Sequence, residues 1–226
     1  MNVRDRLQRR VIPRAIVALS TVRGPGRWIA AVRRALGGRA RVRVYVAFDD
    51  PYSAVALLGL VERTGGRRVR LLVEPVAARG IEGDPAVEAK RRYAVVDARR
   101  LSRRAGRELL RAEPIPAADT SFLASWAAAA PQGPQRVAFC AAALAHLWYS
   151  SDGPVQRAPY AEMWSTHVGG EPPDDDAVHV RRAERRMRRR GLYDTPIAVV
   201  HGEWFFAHER LPQIEHRLDD LGWVAA

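Results

Sequence analysis

The residues best placed to do chemistry sit in VYVAFDDPYSAVALL, residues 44–58. An alternating apolar run stops at two aspartates and restarts at once, through Asp50-Pro51-Tyr52-Ser53, as an Ala/Leu-rich segment. This pattern predicts a strand, a tight turn and a helix start. Asp50 then has two readings. As an N-cap it accepts a bond from an orphan N–H of the first turn, and Pro51 is preorganised for that turn. As a functional group, a carboxylate at a helix N-terminus can act as a general acid or base in an isomerase-type proton transfer. Ser53, one turn further on, is a second candidate donor.

The remaining reactive side chains point elsewhere. His201, His208 and His216 lack metal-ligand spacing, so no metal site is expected. Cys140 is the only cysteine, which excludes an intrachain disulfide and any Cys-x-x-Cys dithiol. Its apolar surroundings, VAFCAAALA, favour a buried and inert thiol. The arginine run from Arg181 to Arg190 reads as a solvated helix face.

Length and composition bound the partners. A chain of 226 residues is long enough for one domain with a sizeable core and an appendage. No apolar run approaches the ~18 residues needed to span a bilayer. With no signal-peptide pattern and a single cysteine, the expected compartment is cytoplasmic. The net charge of +12 raises the question of an anionic partner. Arginine accounts for 36 of the 37 basic residues and alanine is abundant, which fits coding bias, and no nucleic-acid-reading motif is visible. A nucleic-acid partner is therefore not expected. A basic amphipathic N-terminal segment could lie on an anionic membrane surface, or pack on its own domain or on a second copy in a homodimer.

The elements that must position Asp50 follow from periodicity. Residues 1–40 form a basic extension with two helical pieces, one over Val3 to Ile12 and one over Trp28 to Leu36. Val42–Phe48 is a strand, Asp50 to about Gly65 a helix, and Val69–Val76 a second strand, together a βαβ unit. Helices are expected over Pro85–Gly106, Thr120–Ala130, Arg136–Ser150 and Asp174–Arg190. Thr195–His201 is a strand, Gly202-Glu203 turns it into Trp204-Phe205-Phe206, and Leu211, Ile214, Leu218 and Leu221 mark a closing helix. The order is β-α-β, a block of helices, then β-β-α. The fold class is α/β, thioredoxin-like, with residues 41–80 and 191–226 forming the domain and 81–190 a helical insertion.

Four stretches carry a family resemblance. Phe48-Asp-Asp-Pro-Tyr-Ser53, then Lys90 and Tyr93 with Asp97, then Thr195-Pro196, then Gly202-Glu-Trp-Phe-Phe-Ala-His-Glu-Arg-Leu-Pro212 follow one another as in DsbA-like members of the thioredoxin superfamily. Within that group the sequence resembles 2-hydroxychromene-2-carboxylate isomerases and kappa-class glutathione transferases. The resemblance implies glutathione as cofactor and a small aromatic or electrophilic substrate. It implies that Pro51, Tyr52, Thr195, Pro196, His208 and Glu209 line the glutathione site, with Thr195 meeting the tripeptide backbone, Pro196 as the cis-proline, and Glu209 holding the γ-glutamyl amine. Asp50 replaces the family's sulfur-binding serine. The rival expectation is a redox-inactive thioredoxin-fold binding or interaction module without catalysis.

Overall fold

A computed structural model describes residues 24–77, 84–150 and 152–225. The helical piece expected over Val3 to Ile12 lies outside the described residues. Helix α1 (Gly24–Ala35) leads into β1 (Ala40–Val46), α2 (Pro51–Thr64) and β2 (Val69–Pro75). Five helices follow: α3 (Val87–Arg104), α4 (Ala117–Ala129), α5 (Pro134–Ala145, continued by a π-helical turn His146–Ser150), α6 (Arg157–His167) and α7 (Val178–Arg189). A hairpin of β3 (Ile197–Val200) and β4 (Glu203–Phe206) and helix α8 (Leu211–Asp220) close the chain.

The four strands form one sheet in the order β2-β1-β3-β4. β1 runs parallel to β2 and antiparallel to β3, and β3 pairs antiparallel with β4. The alternation in β1 sorts its side chains between the two faces. Val42, Val44 and Val46 enter the main core with α2, α5 and α8, whereas Tyr45 enters a smaller cluster with Met187 of α7 and Ile197. A parallel β1–β2 pair needs a crossover, and α2 supplies it. Gly59 lets α8 approach α2: a Cβ there would lie 2.4 Å from Leu211 Cδ1.

Two boundaries next to the site and one helix differ from the sequence reading. β1 ends two residues before Phe48, because the backbone turns at Phe48-Asp49 to present Asp50 as a cap. The hairpin turn is His201-Gly202 rather than Gly202-Glu203. Both turn residues have positive φ, 49° and 91°, which suits a two-residue connection between twisted strands. Helix α6 had no predicted counterpart, since its apolar residues Ala158, Tyr160, Ala161, Met163 and Trp164 show weak helical periodicity. No helix of the described residues is long and apolar enough to cross a membrane.

Candidate functional site

The start of α2 is built around Asp50. Its side chain is fully buried. The Tyr52 N–H donates to Oδ1 at 3.2 Å, and the Ser53 hydroxyl donates to Oδ2 at 2.8 Å. Ser53 Oγ in turn accepts from the Ala47 N–H at 3.1 Å. The carboxylate and the hydroxyl therefore tie the end of β1 to the first turn of α2. The turn is braced from the helical block as well. Trp148, in the π-helical turn, donates its indole N–H to the Phe48 carbonyl at 3.1 Å. The neighbouring Asp49 side chain is buried and meets Arg91 of α3 at 3.2 Å.

Tyr52 carries the site outward. Its ring stacks on His208, with centroids 4.0 Å apart and planes inclined by 22°, and its hydroxyl donates to Asp97 Oδ2 at 3.0 Å. Both partners come from far along the chain. Beside this stack lies a cavity of about 550 Å³ lined by Tyr52, Ala89, Lys90, Tyr93, Asp194, Thr195, Phe206, His208 and Glu209. The Thr195–Pro196 bond is cis. Thr195 is buried, and its N–H donates to the Asp194 carboxylate at 2.8 Å. Its hydroxyl oxygen is buried without a hydrogen-bond partner among the described residues. His208 Nε2 lies 3.9 Å from Glu209 Oε1. Lys90 pairs with Asp84 at 2.5 Å, and that contact lowers the Asp84 carboxyl below its usual range.

Of the eight residues singled out in the sequence, Tyr52, Thr195, His208 and Glu209 meet in this cavity. Asp50 and Ser53 do not line it. They are bonded to each other inside the helix start, with Pro51 and Pro196 also buried. Position 50 thus has the geometry of the cap reading. The sequence reading did not single out Asp194, Phe206 and Ala89, and it used Lys90 and Tyr93 only as pattern marks. The i, i+3 spacing of Lys90 and Tyr93 puts them on one helix face. That face is the signal that could have placed them here. Cys140 is fully buried on α5, and burial pushes its thiol up to about 12. Among the described residues, no group of three or more His, Cys, Asp or Glu side chains could hold a metal ion.

No family model matches the chain, and no curated protein matches it. Solved structures do. The chain is similar to 2-hydroxychromene-2-carboxylate isomerase, with a TM-score of 0.65 and 16% identity over 80% of this chain and 96% of that one. It is similar to ScsC of Proteus mirabilis in a transitional conformation, with a TM-score of 0.50 and 14% identity over 98% and 93% of the two chains. A linker-deletion variant of ScsC gives 0.50 and 13% over 98% and 92%. The fold is thioredoxin-like. At these identities the likeness is one of fold.

Proposed function

We propose that this thioredoxin-like protein is a binding module for a small aromatic molecule that carries an amine, and that it performs no thiol chemistry. One observation carries the reading. The donors at the start of α2, where a thioredoxin-like fold could hold a thiolate, are taken by the protein's own Asp50 side chain. A helix N-terminus favours one anion through its N–H groups and partial positive charge. The Asp50 carboxyl group occupies that place. A thiolate brought within ~4 Å of a second negative charge meets a repulsion of about 4 kcal/mol at an effective dielectric of 20. The cavity walls fit the proposed ligand. Tyr52, Tyr93 and Phe206 offer aromatic surface, and Asp194 and Glu209 offer carboxylates, while Lys90 is already paired.

A second reading is a glutathione-dependent isomerase or transferase. The similarity in fold to 2-hydroxychromene-2-carboxylate isomerase favours it, as does the meeting of Thr195 and Glu209 in one cavity. Against it, the Thr195 N–H that would meet the tripeptide backbone donates to Asp194. Calorimetric titration with phenethylamine and with reduced glutathione separates the two. The binding-module reading expects phenethylamine to bind, Asp194→Asn and Glu209→Gln to weaken it, and glutathione to bind no better to the native chain than to Asp194→Asn. Tight glutathione binding by the native chain, accompanied by the ultraviolet absorbance of a thiolate, would overturn it in favour of the second reading.

A further inference from the structure

Helix α1 is amphipathic in an inverted sense. Its 12 residues, ~18 Å of helix, pack on the domain through Ala30, which is fully buried, and Arg34. Arg34 donates to the Leu221 carbonyl, and its guanidinium lies 5.6 Å from the centre of the Trp223 ring. At 100° per residue, Trp28, Ile29, Val32 and Leu36 share an arc of about 100° centred opposite Ala30 and Arg34. An apolar stripe of this width ordinarily faces a core. Here it faces outward: Trp28 is 74% exposed and Leu36 81%, with Ile29 and Val32 at 51% and 41%.

The charge around the stripe selects its partner. From residue 6 to residue 48 the chain has eleven arginines and no acidic residue. Beside the C-terminal end of α1, Arg33, Arg39, Arg41 and Arg70 converge with Gly38 on one shallow pocket of about 270 Å³. A second copy docking through the same stripe about a two-fold axis would set these arginines near their equivalents. An anionic surface would neutralise them. Apolar side chains on one face with arginines along the flank are what a helix lying in a lipid headgroup layer presents.

We infer that α1 is a peripheral membrane anchor. It lays Trp28, Ile29, Val32 and Leu36 into the headgroup boundary of an anionic bilayer, and Arg33, Arg39, Arg41 and Arg70 contact the lipid phosphates. This places the small-molecule cavity on a membrane-bound protein and does not depend on what that cavity binds.

The test is co-sedimentation of the full chain with vesicles of phosphatidylcholine alone and of phosphatidylcholine with phosphatidylglycerol, together with light scattering without lipid. The expected result is binding to the anionic vesicles only, weakened by salt. Trp28→Gln with Leu36→Gln should abolish it at an unchanged melting temperature, since both side chains are exposed. Each of Arg39→Gln and Arg41→Gln should lower partitioning about fivefold, the loss of one basic residue near an anionic surface. Absence of binding would overturn the inference, as would equal binding by the Trp28→Gln/Leu36→Gln variant. A lipid-independent dimer dissolved by that variant would also overturn it and assign the stripe to self-association. If the native chain ignores vesicles while a chain lacking residues 1–23 binds them, the N-terminal segment is the occupant and the inference again fails.

Discussion

The cap at Asp50 gives the sharpest test, because its bonds to Tyr52 and Ser53 are buried. Replacing Asp50 with Ala removes the acceptor for the Tyr52 N–H, an N-cap loss of about 1 kcal/mol. It also leaves the buried Ser53 hydroxyl without this acceptor, at about 1–3 kcal/mol. The sum, roughly 2–4 kcal/mol, is a large share of the ~5–15 kcal/mol that stabilises a typical domain. For a domain of this size it corresponds to a fall in melting temperature of about 4–16 °C. Asp50→Asn keeps an oxygen for Tyr52 but turns the acceptor facing the Ser53 hydroxyl into an amide donor, so it should cost less than Asp50→Ala. The double variant Asp50→Ala/Ser53→Ala should cost less than the sum of the singles, because removing both partners of a buried bond is cheaper than orphaning one. Urea unfolding of the native chain, Asp50→Ala, Asp50→Asn, Ser53→Ala and the double variant supplies the numbers. If Asp50→Ala lies within ~0.5 kcal/mol of the native chain, or if the single costs simply add, the Asp50–Ser53 bond is not what holds this turn.

Three further outcomes follow from the same structure. His201 sits in the hairpin turn, where burial first, and then Arg33 and Arg217, lower its pKa below 6.5. The unfolded chain therefore takes up the proton first, so stability should fall as pH drops from about 6.5 toward the lower folded value. His201→Asn, which tolerates the positive φ, should flatten that part of a melting-temperature profile. Cys140, with its thiol near 12, should resist alkylation by iodoacetamide at neutral pH until denaturant is added, and the protein should reduce no insulin disulfides. Removing residues 1–38 exposes Trp223 and takes Ala30 from the core. The shortened chain should still melt cooperatively but at a lower temperature, which calorimetry would read directly.

The order of elements, α6 excepted, was legible because each carries a strong local signal. The period-2 run in β1, the Asp-Pro start of α2 and the 3, 4, 3 spacing in α8 need no tertiary knowledge. Asp50 was harder. The sequence places an aspartate at a helix start but cannot say whether its oxygens face a cavity or the helix. That depends on Ser53 and Ala47 closing a ring of bonds, and on Trp148, a hundred positions away, fixing the carbonyl of Phe48. The outward stripe of α1 was hidden for a related reason. Periodicity finds an amphipathic helix but not the direction its apolar face takes, and here Arg34 rather than that face is turned to the domain.

Trp148 shows why the inserted helices matter to the site. Its indole reaches the turn before Asp50, and its own carbonyl accepts from the Leu110 N–H in the segment between α3 and α4. From α3 itself, Arg91 holds Asp49, Asp97 receives the Tyr52 hydroxyl, and Lys90 and Tyr93 line the cavity. The inserted segment therefore grips the α2 start from two sides and forms one wall of the cavity, while the cis-proline loop and His208 form the other. A change in how α3 packs on α2 would shift the cavity wall and the Tyr52–His208 stack together. Specificity should for that reason respond to substitutions on the Ala89–Tyr93 face more than to changes at Asp50, whose side chain is committed to the helix it caps.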